Sequence, residues 1–227
     1  MIRRLLPLAL ALALVPVSQL VRAEGPAIEP VAASASEDPA TAAYTALQSR
    51  WAEIKYDLPK KEQAAAFEAL ARSADAAVAA HPEDARILIW RGIVLSTWAG
   101  AKGGLGALPL TKRAKADFEA ALAQDEAALD GSAHTSLGSL YYQVPGWPVG
   151  FGNDDKAREH LSAGLALNPD GIDSNYFWGD FLHEAGDDAA ARAALNKALE
   201  APPRPGRERA DQGRRDEIAR LLAELDT

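Results

Sequence analysis

No cysteine occurs in the 227 residues. That excludes a disulfide framework, a thiolate zinc site, a cysteine nucleophile and a lipid-modified N-terminal cysteine. Positive charge is also scarce. With 24 Lys and Arg against 32 Asp and Glu, the formal charge is −8, a poor match to nucleic acid or an anionic membrane surface. Catalytic signatures are missing too: there is no G-x-S-x-G elbow, no HExxH and no Walker sequence. The glycine-rich stretch 99–113 has no G-K-[ST] ending, and no strand precedes it. His81, His134, His160 and His183 are dispersed without metal-ligand spacing, so each reads as an ordinary surface or groove histidine. No catalytic residue, metal or cofactor is assigned, and the chain reads as a binding protein rather than an enzyme. What remains is 48% hydrophobic and 25% charged, an ordinary globular composition.

Long apolar runs are absent except at the N-terminus. Arg3 and Arg4 precede the run Leu5 to Val17, and Val21-Arg22-Ala23 supplies small residues at cleavage offsets. This reads as a secretory signal peptide over residues 1–23, with a retained anchor as the alternative. The mature chain is then expected to be periplasmic and not membrane-spanning. Residues 24–40, rich in Pro, Ser, Ala and acidic side chains without periodicity, read as a flexible linker.

From residue 41 onward the spacing is helical, with no alternating strand pattern. Leu137-Gly138-Ser139-Leu140-Tyr141 is followed by Ala157 and Leu161 and closed by Pro169. The next unit carries Gly179, Ala191, Leu195, Ala198 and Pro203, and Pro169 to Pro203 is 34 residues. An earlier unit carries Gly92, Ala114, Phe118 and Ala121, with Pro82 ten residues before Gly92 as Pro169 is before Gly179. Small residues in these slots let the two helices of a hairpin approach closely, and the large slots are expected to fill the gap between neighbouring hairpins. On these residues the chain resembles the tetratricopeptide repeat (TPR) superfamily. The resemblance implies an all-α, right-handed α-solenoid of TPR-like helical hairpins, and a partner-binding scaffold. The expected layout is a hairpin over 41–81, repeats at about 82–126, 127–168 and 169–203, and a C-terminal capping helix over 206–226. A narrower resemblance, over Val144–Leu182, is to the T-component family of periplasmic TRAP transport systems. It implies a solute-binding protein or transporter component as partner. Members of that family are commonly lipoproteins, and this chain departs from them in lacking the lipobox cysteine.

Two departures from the repeat are informative. Gly179 to Ala191 is 12 residues, but Gly138 to Ala157 is 19 and Gly92 to Ala114 is 22. Both insertions are expected as long loops between the helices of their hairpins, 99–113 and 143–156, on one edge of the solenoid. In the second, Trp147, Val149 and Phe151 either pack back on their own helices or form an apolar contact for a partner or ligand. Asn153, Asp154 or Asp155 is expected to cap the helix that follows.

The resemblance places the first helix of each hairpin on the concave face. Counting from the matched glycines puts Arg86, Ile89 and Ile93 there, then Thr135, Ser139 and Tyr142, then Asp173, Tyr176, Asp180 and His183. The candidate binding residues are Arg86, Ile89, Tyr142, Trp147, Phe151, Tyr176, Asp180 and His183. The expected function is an exported scaffold that binds a protein partner through this groove and the two loops, as an accessory of solute transport in its narrower form. The alternative is a small-molecule carrier with the loops as a lid, and self-association stays open. In the arginine-rich tail, Arg204 and Arg207 are the better candidates for a specific ion pair.

Overall fold

Side-chain caps punctuate the alanine-rich chain. In the computed structural model, which describes residues 38–226, Asp38, Asp84, Asn153 and Asp187 each accept a hydrogen bond from a backbone N–H two or three residues on. Each such cap is worth about 0.5–2 kcal/mol. Of the three residues offered at 153–155, Asn153 is the cap, and Asp154 and Asp155 lie in the first turn near the positive end of the helix dipole. The elements that result are α1 (Pro39–Tyr56), α2 (Lys60–Ala80), α3 (Ala85–Lys102), α4 (Leu108–Gln124), α5 (Ala128–Gln143), α6 (Asp154–Leu167), α7 (Ile172–Glu184), α8 (Asp188–Leu199) and α9 (Glu208–Glu224). The expected signal peptide and most of the expected linker lie outside the described residues. Helix α1 begins at Pro39, inside the stretch read as linker.

The helices pair as four successive antiparallel hairpins, α1–α2 to α7–α8, each stacked on the next, with α9 last. The described chain is thus an all-α solenoid of TPR-like hairpins. One contact recurs inside three of the hairpins. Gly92 faces Phe118, Gly138 faces Leu161 and Gly179 faces Leu195, so close that an added Cβ would lie 2.5, 2.7 and 2.9 Å from those side chains. Ala114, Ala157 and Ala191, one turn before each large residue, are fully buried. Glycine opposite a large apolar residue is therefore the local rule that sets the interhelical distance, and the tight fit maximises dispersion contacts. One core runs from Leu47 through Trp90, Phe118 and Leu161 to Phe181. A smaller one, around Ile172, Leu195 and Ile218, joins α7, α8 and α9.

The first insertion is not a loop. Helices α3 and α4 have 18 and 17 residues, where α7 and α8 have 13 and 12. The ten extra residues extend both helices of the hairpin, leaving Gly103, Gly104 and a single 3-10 turn at Leu105–Ala107 as the link. Apolar residues at helical spacing, such as Ala99 and Leu110, are buried in the extension; that burial outweighs the glycine content of the stretch.

The second insertion is a real loop, from Val144 to Asn153. It is tied to itself: the Gly152 N–H donates to the Pro145 carbonyl at 3.0 Å, and the Asn153 N–H donates to the Tyr141 carbonyl at 2.8 Å. The Trp147–Pro148 peptide is cis.

The solenoid's two ends meet. Helix α9 packs against both α1 and α7. Gly213 of α9 lies against the ring of Tyr56, where no side chain would fit. Lys55 pairs with Glu217 at 3.2 Å and Arg209 with Asp57 at 2.9 Å across the same seam. The capping helix thus also joins the ends of the array, so the concave face becomes the wall of a cavity open to solvent. Among the described residues no helix is long and apolar enough to cross a membrane.

Candidate functional site

The cavity has a volume of about 1030 Å³, and its wall draws on every helix pair from α1–α2 to α7 and on α9. That is at the upper end of the range for small-molecule sites. One wall is aromatic: Trp51, Tyr56, Trp90, Tyr176 and Phe177. Trp51 stands edge-on to Trp90 with ring centroids 6.0 Å apart, and its indole N–H donates to the Thr97 hydroxyl at 2.9 Å. Hydroxyls from Thr97, Ser136 and Ser139 line it as well. At Leu129, Asp130 and Gly131, the entry to α5, three successive residues take φ values of 50°, 55° and 73°. Leu129 and Asp130 line the cavity, and left-handed backbone is unfavourable for both. Gly131 allows the segment to pass Leu167, which a side chain there would overlap.

The charged end of the cavity is organised by Asp173 of α7. Arg214 Nε donates to one carboxylate oxygen at 2.8 Å and a terminal nitrogen of Arg204 donates to the other at 2.7 Å. Arg204 also grips Asp211 at 2.6 Å, and Arg214 reaches Glu217 at 2.7 Å. The guanidinium of Arg214 lies 4.2 Å from the centroid of the Tyr176 ring. Burial alone would raise the Asp173 carboxyl, but Arg214 and Arg204 outweigh it and hold the group well below the usual carboxylate range. Burial pushes the Tyr176 hydroxyl up to about 12, so it stays protonated.

Of the eight candidate residues, Tyr176 lines the cavity and the other seven do not. Ile89 is wholly buried in the main core, because the helix face next to it, carrying Trp90 and Ile93, turns inward instead. Arg86 is a strut between helix starts, bonded to Asp84 at 2.6 Å, to Asp38 at 3.3 Å and to the Thr41 hydroxyl at 3.1 Å. Tyr142 donates to Asp180 at 2.5 Å, joining α5 to α7; burial raises both groups. His183 bonds Asp188 at 2.7 Å across the α7–α8 turn, and that carboxylate raises its pKa. The loop residues part company. Phe151 packs back, edge-on to Tyr141 at 5.8 Å. Trp147 is 90% exposed and Val149 52%.

Ile93, Thr135, Ser139 and Asp173, counted onto the concave face from the sequence, do line the cavity. Trp51, Trp90, Arg204, Arg207 and Arg214 line it too and were not placed there by the sequence. Arg204 makes the specific ion pairs expected of it, whereas Arg207 has none among the described residues. The histidines are not all isolated: His134 and His160, 26 residues apart, meet Nδ1 to Nδ1 at 2.9 Å, and His134 Nε2 lies 2.9 Å from Glu126. Burial, then His134, lowers the pKa of His160. The separation follows from hairpin packing, which a search for local ligand spacing does not see. Among the described residues no group of three His, Cys, Asp or Glu side chains is placed to hold a metal.

No known protein family matches the chain, and no curated protein matches it. Among solved structures, a crystal structure of MamA is 19% identical to it, covering 63% of this chain and 92% of that one with a TM-score of 0.33. An overlap that small says nothing of function. The class is defined by the chain's own features: a TPR-like hairpin solenoid whose ends meet around an open-mouthed cavity.

Proposed function

We propose that this chain is a periplasmic TPR-like scaffold that recognises a protein partner, with the tip of the 144–153 loop as its contact. The observation behind it is the exposure of Trp147, 90%, beside the half-exposed Val149. The surrounding loop is held rigid by its own hydrogen bonds, and Phe151 already satisfies the packing demand of the loop. A large aromatic displayed on a fixed backbone loses little conformational freedom on binding, and tryptophan is the residue type most enriched in interface hot spots. Export rests on the N-terminal pattern of residues 1–23. In its narrower form the proposal makes the partner a solute-binding protein or permease, which rests on the resemblance of Val144–Leu182 alone. The mechanism is recognition: apolar burial supplies affinity and polar groups set register.

In-cell crosslinking of the mature protein read by mass spectrometry tests this. One dominant partner is expected, and Trp147→Ala is expected to lose about 2 kcal/mol or more of binding, roughly 30-fold in affinity, with unchanged helicity. Retention of the partner by the variant would remove the loop from the interface.

A second reading has its own observation. A solenoid that only displays its surface has no need to bring its ends together, yet here α9 joins them around an open-mouthed cavity of about 1030 Å³. That favours a carrier with a guest inside. Native mass spectrometry of the purified chain is expected to find a small molecule retained at one per protein; a clean apo mass at every condition would count against it.

A further inference from the structure

The cavity wall carries five basic and three acidic residues, in a chain with 24 basic and 32 acidic overall. Its local balance is the reverse of the molecule's. Most of these charges are already paired. Asp173 is shared by Arg204 and Arg214, and Glu217 by Arg214 and Lys55. Arg207 is different. Its guanidinium has no ion pair and no hydrogen bond among the described residues, and its Nε is shut away from solvent without an acceptor. It lies 5.3 Å from the centroid of the Trp90 ring. Trp90, itself 3% exposed, has the other buried donor without a partner, its indole N–H. Both residues belong to the cavity wall. Arg207 as a whole is half-buried, with only its Nε shut off; buried donors are paired in the great majority of cases, and a partly desolvated cation without a partner is costlier than an unpaired neutral donor. Burial, then Arg204, lowers the Arg207 pKa, yet a guanidinium remains charged. The wall thus holds a positive charge and a donor surplus at one place, with aromatic surface around them.

We infer that the cavity is a site for a small organic acid, whose carboxylate pairs with Arg207 and whose apolar body lies along the wall formed by Trp51, Trp90 and Phe177. Lys60, the other cation of the wall without an ion pair among the described residues, is exposed to solvent, so the one partly buried unpaired cation calls for one negative charge. A phosphate monoester brings nearly two, and the second would face Asp173 across the same cavity. A carboxylate matches the fork of a guanidinium with two parallel hydrogen bonds. This inference rests on the carrier reading and is independent of the loop contact at Trp147.

The experiment uses the mature protein and a panel of aryl and alkyl carboxylates (benzoate, 3-phenylpropionate, octanoate, decanoate), each beside its primary amide. Thermal stabilisation and tryptophan emission are recorded. At least one carboxylate is expected to raise the melting temperature while its amide does not. Arg207→Met is expected to weaken that carboxylate about tenfold or more, Arg207→Lys less, and Trp90→Phe to weaken it without abolishing it, with circular dichroism checking that each variant is folded. Equal binding of acid and amide, or an acid effect unchanged in Arg207→Met, overturns the carboxylate assignment and leaves the carrier reading standing. No effect from any member of the panel, together with a clean apo mass, overturns both.

Discussion

Phe118→Ala should cost about 3–5 kcal/mol of stability, the range for deleting a buried phenyl ring, and should lower the melting temperature by roughly 6–20 °C. Phe118 is fully buried, and its ring fills the space over Gly92 on the facing helix. The pair makes a sharper test than the single change. Gly92→Ala alone would place a Cβ 2.5 Å from the Phe118 ring, and should destabilise the protein despite alanine's better helix propensity. In the Phe118→Ala background the clash is gone, and the same glycine change should stabilise it by up to about 1 kcal/mol. Urea denaturation of the four members of this cycle reads the coupling. Additive effects would mean that the glycine is not a spacing device, and would remove the physical basis of the repeat.

The positions of that pairing were legible in the sequence, because glycine, alanine and the large apolar slot recur at fixed offsets in Gly92–Ala114–Phe118, Gly138–Ala157–Leu161 and Gly179–Ala191–Leu195; the pairing itself was not, since the large slot was expected between neighbouring hairpins and instead meets the glycine inside one. The two insertions were legible as extra residues but not as structures. Counting residues between matched positions cannot tell a loop from two longer helices. In the first case the extra residues keep helical burial, as at Ala99 and Leu110; in the second, Pro145, Pro148 and a run of glycines break the helix. The site was read less well for a related reason. Counting from the glycines settles which residues face the partner helix, but the cavity-facing direction lies only a fraction of a turn from the core-facing one. Ile89 and Trp90 show the cost: Ile89 lies in the core alone, while Trp90, one step along the helix, belongs to the core and the cavity wall at once. Closure of the array was out of reach altogether. It depends on Gly213 meeting Tyr56 and on Glu217 meeting Lys55 from the other end of the chain, contacts with no repeat and no local spacing. The arginines of the tail are balanced by acids in the sequence, the composition of a solvated helix face. Three of them instead turn inward because α9 lies against α7.

Asp173→Ala is expected to loosen that closure. The carboxylate is the shared acceptor of Arg204 and Arg214, and Arg214 is 9% exposed at its side chain. Removing one partner of a buried pair leaves uncompensated charge, which costs about 3–5 kcal/mol in fully buried sites. Asp173 keeps 34% of its side-chain surface, on the cavity side, so water screens part of the loss and the low end of about 3 kcal/mol is expected. The melting temperature should fall by roughly 6–12 °C. Because the two arginines belong to α9 and the segment before it, hydrogen exchange should quicken first in α9, over Glu208–Glu224, while α3 and α4 keep their protection. The same carboxylate predicts an acid dependence. Its pKa in the folded chain lies below its unfolded value, so the folded state holds fewer protons there than the unfolded state. The stabilisation is complete above the ordinary carboxylate range, starts to fade below about pH 4, and goes on falling as the pH drops through the folded value. Asp173→Ala should therefore differ from the native chain most at neutral pH, with the two stability curves converging in acid. A difference that stayed constant down to about pH 2 would show that the aspartate acts through packing and not through its charge, and that closure of the cavity is maintained by the apolar contacts of Tyr56, Leu195 and Ile218 alone.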